Sequence, residues 1–151
     1  MGKTITVKIK KLKAFTTNSQ IPFYASPGAA GADLYAYLEN HLVIKPGERA
    51  KVPTGIAIEL PGPEVVALIF ARSGLSLKGL ALSNGVGVID SDYRGEIIVP
   101  MTNFSQEEII IKNGDRIAQM LFTGVYQVSF MEVSELAPTS RNQGGFGSTG
   151  L

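Results

Sequence analysis

The 151-residue chain contains no cysteine and only one histidine, His41. Without thiols it has neither disulfides nor thiolate metal ligands, consistent with a reducing compartment. A single histidine excludes a histidine-rich zinc site within the chain. Charge is scarce too: 18% of residues are charged, and the formal net charge is +1. A general nucleic-acid binder needs a basic face to offset many phosphates, so this balance argues against one. A small anionic substrate needs only a local cluster of cations. No apolar run approaches the ~20 residues of a membrane helix. The opening Met1-Gly-Lys-Thr-Ile-Thr-Val-Lys-Ile-Lys10 has lysine inside its apolar part, unlike a signal peptide. The expectation is a cytoplasmic protein with neither nucleic acid nor membrane as partner.

A long helical period is also missing. What the chain does have is short strand patterns with turn residues between them. Ile5, Val7 and Ile9 alternate with Thr6, Lys8 and Lys10, which predicts a half-buried strand. Lys3, Lys8, Lys10, Lys11 and Lys13 nearby read as a solvated face that discourages edge pairing rather than as an anion patch. Residues 14–27 read as a loop, and the small residues from Gly28 lead into a strand. Lys45-Pro46-Gly47-Glu48 has turn chemistry. Ile56, Ile58 and Leu60 alternate with Gly55, Ala57 and Glu59, and Pro61-Gly62-Pro63 ends that strand. The continuous apolar run 65–70 predicts a buried strand, and 72–79 has room for one or two helical turns. Residues 109–111 read as a short strand, Asn113-Gly114 as a hairpin signal, and 116–122 as the return. A final strand is expected over 125–133, with Tyr126, Val128 and Phe130 on one face. This pattern defines an all-β sandwich, jelly roll or barrel. One domain over 1–137 is expected, followed by a mobile glycine-rich arm over 138–151.

Several clusters have the side chains for chemistry. Asn84-Gly-Val-Gly-Val-Ile-Asp90-Ser-Asp92-Tyr93-Arg94-Gly95 delivers two carboxylates, a ring and a guanidinium in five positions. Asp90 and Asp92 would share a face of a strand. They are suited to general-base work on water, to holding a divalent cation, or to shaping a turn. Arg72-Ser73-Gly74, after the buried run, can form a phosphate cradle or simply cap a short helix. Asp33 can meet a metal's water shell or end a strand, and Gln119 can reach a phosphate or solvent. Arg141-Asn-Gln-Gly-Gly-Phe146-Gly-Ser148-Thr149-Gly150 contains a literal GxGxxG. No helix follows to receive a pyrophosphate, so this is not a dinucleotide fingerprint. A glycine-rich segment with one ring, two hydroxyls and a guanidinium can instead close over a nucleotide.

Taken together these segments resemble one family, the trimeric deoxyuridine 5′-triphosphate nucleotidohydrolases (dUTPases). Five ordered motifs carry the resemblance: Ala30-Gly-Ala-Asp33-Leu34, Arg72-Ser-Gly-Leu75, the 84–95 stretch, Gly114-Asp-Arg-Ile-Ala-Gln119, and the 141–150 tail. The resemblance implies a jelly-roll-like β-barrel and a homotrimer whose active sites are shared between subunits. It implies dUTP as substrate, hydrolysed to dUMP and pyrophosphate, which supplies dUMP for dTMP synthesis and keeps uracil out of DNA. Within the implied site, Asp90 is the general base for water attack on the α-phosphorus. Asn84, with backbone groups at Gly87, Val88, Ile89 and, across a β-hairpin, Ile98, reads the uracil edge. Tyr93 lies under the deoxyribose and leaves no room for a 2′-hydroxyl. Arg72, Ser73, Gly74 and Gln119 hold phosphates, and Arg141 meets the γ-phosphate. Phe146 stacks on uracil, while Gly147, Ser148 and Thr149 close over the ligand. Mg²⁺ chelates the triphosphate, with Asp33 acting through its water shell.

Two positions depart from the family pattern. Ala71 stands where relatives often have Pro or Gly, and Asn142-Gln143 where many have Gly and a small or acidic residue. Two rival readings follow from the same fold. A dCTP deaminase would need an additional catalytic glutamate near the pyrimidine, and Glu96 is placed to be one. A non-catalytic nucleotide-sensing trimer would not need Asp90 or the arm.

Overall fold

The computed structural model describes residues 4–12 and 21–145. The first half holds β1 (Lys8–Lys11), β2 (Ala32–Tyr35), β3 (Leu42–Ile44), β4 (Arg49–Pro53), β5 (Ile56–Glu59) and β6 (Val65–Ala71). A short helix, α1 (Ser73–Leu77), follows. The second half holds β7 (Leu80–Leu82), β8 (Gly87–Ile89), β9 (Ile98–Asn103), β10 (Ile109–Ile111) and β11 (Arg116–Gly124). The strands form four antiparallel sheets: β1-β5, β10-β3, β4-β9-β7 and β2-β11-β6-β8. This is the jelly-roll fold expected from the sequence. It is made of four small sheets around one core, with no single closed sheet among the described residues.

Among the described residues, no two strands adjacent in sequence pair with each other. That explains the outcome at both turn signals. Lys45-Pro46-Gly47-Glu48 does turn, with Glu48 N–H donating to Lys45 O at 3.0 Å. It leads from β3 in one sheet to β4 in another. Asn113-Gly114 also turns, and Asp115 N–H donates to Lys112 O at 3.1 Å. The expected hairpin does not form, because β10 joins β3 while β11 joins β2 and β6. Instead Gly114 N–H donates to Ala36 O, and Ala36 N–H donates to Asp115 O, both at 2.8 Å. A turn motif sets local φ/ψ, but the sheet each strand joins is decided by remote partners.

The apolar run over 65–71 becomes β6, flanked by β11 and β8, which buries Val65, Val66, Ala67 and Ile69. The core also takes Leu34, Ile56, Leu80, Val99, Met101 and Ile117, each at most 1% exposed. Each such side chain stabilises the fold by roughly 1.5–3 kcal/mol relative to exposure. Among the described residues, four buried ones are polar or charged: Asp33, Thr54, Thr102 and Asn103. Asn103 is fully buried, and its amide donates to Ile44 O (2.8 Å) and Glu107 O (2.7 Å). Its Oδ1 accepts from Ser105 N–H (2.9 Å) and Ser105 Oγ (2.7 Å). All four positions of the amide are filled, as burial requires.

Two strand expectations are corrected. The first strand starts at Lys8, not at Ile5, and all four of its residues are exposed. The alternating segment 125–133 forms no strand. Val125 N–H still donates to Glu64 O at 3.0 Å, and the chain then runs clear. Tyr126, Phe130 and Met131 are 96%, 94% and 83% exposed. The reason is positional: the β11–β6 ladder ends at the Gly124–Val65 pair, so the next residues have no strand beside them. No helix of the described chain is long and apolar enough to cross a membrane.

Candidate active site

At the end of β6 the chain leaves the sheet at Ala71. Arg72 is extended (φ −88°, ψ 136°) and opens α1. Its guanidinium turns back over the sheet, placing Nε 2.9 Å from Asp33 Oδ1. Asp33 is 6% exposed, central in β2, and its N–H donates to Phe23 O. Its other oxygen lies 3.4 Å from Arg116 Nη1. Arg72 Nη1 in turn donates to Arg116 O at 3.4 Å. Gln119 faces Asp33 across the β2–β11 ladder, and its amide donates to Ala71 O at 3.0 Å. Gly31 makes room for this amide: a Cβ there would stand 2.8 Å from Gln119 Oε1.

Gly31, Asp33, Arg72 and Gln119, with Ser73 and Gly74, line an open cavity of about 760 Å³. Arg72 meets the Asp33 carboxylate from this cavity and Arg116 meets it from the adjoining one, so the three-residue cluster carries one surplus positive charge, which suits a phosphate chain. The structure thus brings together Asp33, Arg72, Ser73, Gly74 and Gln119. Arg116 is the residue that sequence reasoning missed. The only signal for it was a charge opening an apolar strand within a quoted motif. Its carboxylate partner lies in a distant strand.

The 84–95 stretch lies elsewhere. β8 is an edge strand paired with β6 alone, and Val88 is 59% exposed. Gly87 packs against Ile69, whose Cβ would be 3.1 Å from any added Cβ. Asp90 follows β8 in a turn, with Tyr93 N–H donating to Asp90 O at 3.1 Å. Asp90 and Asp92 therefore do not share a strand face; both are exposed. Tyr93 folds back, and its hydroxyl donates to Glu96 O at 2.9 Å. Gly95 permits this, because a Cβ there would collide with the Tyr93 ring and hydroxyl.

The expected hairpin between residues 84–89 and Ile98 is also corrected. β8 and β9 belong to different sheets and do not pair. β7 covers only Met101–Asn103 of β9, so Ile98 and Val99 have a strand neighbour on one side alone, β4. β8 likewise has one open edge. Strands that splay in this way leave backbone donors and acceptors for a planar ligand edge. Asn84, at the turn before β8, is exposed. Glu96 is committed elsewhere: its Oε1 accepts from Gly55 N–H at 2.7 Å. A carboxylate holding the backbone in this way is poorly placed to act as the catalytic acid of a deaminase.

The two groups are well separated within one chain. Register puts Asp90 level with Val66, one step past the Ile89–Ala67 pair. Arg72 lies six residues further along, about 20 Å at ~3.3 Å per residue. That exceeds the reach of a triphosphate. Arg141 is exposed, and its Nε donates to Gly144 O at 2.8 Å. Asn142, where the family pattern favours glycine, has φ +43° and exchanges hydrogen bonds with Thr139. Asparagine is among the few other residues that tolerate this conformation. Phe146, Gly147, Ser148 and Thr149 lie outside the described residues. No group of three or more His, Cys, Asp or Glu that could cage a metal occurs among the described residues.

A jelly roll carrying an open cavity lined by Arg72, Ser73 and Gln119, and a separate open strand edge at β8, defines a class of nucleotide-handling β proteins. Comparison with known proteins narrows the class. The family model for dUTPase matches residues 17–150. A deoxyuridine 5′-triphosphate nucleotidohydrolase from Desulfitobacterium hafniense is 57% identical over 133 residues, covering 87% of this chain and 88% of that protein. One from Anaplasma marginale is 49% identical, covering 97% and 99%. The structure of a dUTPase from phage phi11 of S. aureus, described as coordinating a structural Mg(II) ion, matches with a TM-score of 0.76. It is 21% identical and covers 89% of this chain and 100% of that one. The chain belongs to the dUTPase family of hydrolases.

Proposed function

We propose that the protein hydrolyses dUTP to dUMP and pyrophosphate, as a cytoplasmic homotrimer whose sites are shared between subunits. The observation that carries this is the cavity where Arg72, Ser73 and Gln119 gather around the buried Asp33. The distance from that cavity to Asp90 supports a site completed by another copy. In this reading Arg72, Ser73, Gly74 and Gln119 of one copy hold the phosphates. Asn84 and the open backbone edges at Gly87, Val88, Ile89 and Ile98 of another read uracil. Tyr93 packs against the deoxyribose.

Asp90 accepts a proton from water as the water oxygen attacks the α-phosphorus. The bond from that phosphorus to the bridging oxygen breaks, and pyrophosphate leaves. Positioning and charge neutralisation supply most of the rate. The 138–151 arm closes the site, with Arg141 on the γ-phosphate, Phe146 on uracil, and Gly147, Ser148 and Thr149 along the phosphates. A lone buried carboxylate without a cage fits a largely hydrated Mg²⁺ held by the substrate, and fits no all-protein metal site. Each Asp33 oxygen has two acceptor positions, so its two guanidinium contacts leave room for a metal-bound water. When bound, the metal neutralises developing charge on the phosphates.

The test is pyrophosphate release measured across dUTP, UTP, dTTP and dCTP, with and without Mg²⁺. Turnover of dUTP alone is expected. Sustained ammonia release from dCTP would replace this reading with the deaminase, and binding without turnover of any of the four would leave the sensing trimer.

A further inference from the structure

The β2–β11 ladder contains an irregularity beside the cavity. Gln119 opposes Asp33 and Ala118 opposes Leu34, but the next residue of β2, Tyr35, opposes Arg116 rather than Ile117. Two residues of β11 thus advance against one of β2, which is a β-bulge. Without it, Ile117 would take the place opposite Tyr35, on the face that carries Asp33 and Gln119. With it, Ile117 and Ala118 are both buried, at 1% and 0% exposure. The place opposite Tyr35 then falls to Arg116, on the Asp33 face. A bulge also weakens a ladder and bends its strand, so its presence next to a polar cavity calls for a reason.

The geometry points to one: we infer that Arg116 is a positioning residue that holds Asp33, and through it Arg72, in the orientation that meets phosphate. The inference rests on the proposed role of Arg72. Three contacts close a ring: Arg72 Nε to Asp33 Oδ1 (2.9 Å), Asp33 Oδ2 to Arg116 Nη1 (3.4 Å), and Arg72 Nη1 to Arg116 O (3.4 Å). A guanidinium has five N–H donors. The ring uses one on Nε and one on Nη1 of Arg72, leaving three for a ligand. Arg116 meets Asp33 with its guanidinium and Arg72 with its carbonyl, so it fixes both members. Its side chain is 51% exposed against 28% for Arg72 and 9% for Asp33. The stack therefore runs from a buried carboxylate to an outer clamp. Without the Arg116 side chain, Asp33 Oδ2 is released while the bond from Arg72 Nη1 to the residue 116 carbonyl remains, so Arg72 loses the support that reaches it through Asp33.

The test uses the full-length enzyme at saturating Mg²⁺. For R116Q, the KM for dUTP is expected to rise about three- to five-fold with kcat changed less, the range of a partly exposed ion pair. Deoxyuridine, which has no phosphate, should bind as to the wild type, and the melting temperature should hold. In an Asp33→Asn background the same substitution should add less than about 1.5-fold, because the group through which Arg116 acts is already altered. R116K should recover part of the loss through charge. An unchanged KM in R116Q overturns the inference. So does an undiminished effect in the Asp33→Asn background, which would put Arg116 directly on the phosphate. An equal loss of deoxyuridine affinity or a fall in melting temperature would show a merely structural role. Arg72→Gln, assayed in parallel, separates the two readings. If it too is silent, the proposed role of Arg72 fails; if it raises KM while R116Q does not, only the role of Arg116 fails.

Discussion

At the Arg72 end of β6, the functional groups are locked before any ligand arrives. At the Asp90 end they stand open. Asp33 is buried and touched by two guanidinium groups, Gln119 is tied to Ala71 O, and Gly31 removes the Cβ that would push Gln119 away. Asp90 lies exposed in a turn at the end of an edge strand that also leaves Val88 exposed. The contrast is one of charge management. A phosphate chain is charged wherever it binds, so the cations that meet it must be held apart and oriented in advance. A neutral base and sugar need shape and backbone edges, which a second copy and the substrate itself can complete. Loss of the buried carboxylate at the locked end should therefore cost both stability and activity, whereas loss at the open end should cost activity alone.

The largest expected effect is at the open end. Asp90→Asn should lower kcat by about a thousand-fold, the scale of a lost general base. Binding of an α,β-imido analogue of dUTP and the melting temperature should stay near wild type. A variant that keeps most of its turnover would remove Asp90 as the base. Next is Asp33→Ala at the locked end. It leaves two cations facing a void and should destabilise the fold by about 1–3 kcal/mol. In a chain of this size that is a fall of about 3–10 °C in melting temperature, alongside a loss in kcat/KM. Normal melting with normal kinetics would dissolve the contrast.

Gly95→Ala is a smaller, more specific perturbation. The new Cβ must displace the Tyr93 ring, so the preference for dUTP over UTP should narrow several-fold, read as the ratio of the two kcat/KM values. An unchanged ratio would detach Tyr93 from sugar discrimination.

The smallest effect lies away from both ends, in the β1–β5 ladder. Lys8 Nζ sits 2.7 Å from Glu59 Oε1, and this hydrogen bond and charge hold the Glu59 carboxyl below the usual carboxylate range. A carboxyl depressed in the folded state adds stability above its unfolded value, and that contribution is lost as pH falls through the folded one. Both side chains are well exposed, so solvent screens the pair. Glu59→Gln should therefore flatten the acid limb of the melting curve only slightly. A drop at neutral pH as large as that of Asp33→Ala would show that β1 matters far more than its exposure suggests.

Much of the site was legible as residues, and little of it as relationships. Arg72, Asp33 and Gln119 stand out individually, each in a motif with suitable chemistry. Nothing local announces that the first two form an ion pair across 39 positions, or that Arg116 completes it from 83 positions away. The helix after Arg72 and the strand over 65–71 were legible because continuous apolar or small-residue runs have few alternatives. The strand expected over 125–133 shows the limit. Its alternation is real, but a ladder needs a neighbour, and β6 ends where that segment begins. Glu96 is the opposite case: the sequence left it open as a second catalytic acid, and its bond to Gly55 N–H uses it to hold the backbone instead.

By itself, then, the sequence determined what depends on short-range physics. Period-two alternation and the φ preferences of proline and glycine named an all-β chain, and five ordered motifs carried its resemblance to the dUTPases. The tertiary structure alone decided which strands meet, because among the described residues every pairing joins strands that are not neighbours in the chain. From those pairings follow the open strand edges at β8 and at Ile98, the bulge that turns Arg116 toward Asp33, and the separation of Asp90 from Arg72. Each depends on contacts between residues far apart in sequence, and such contacts are chosen by the burial of the whole core rather than by any local stretch.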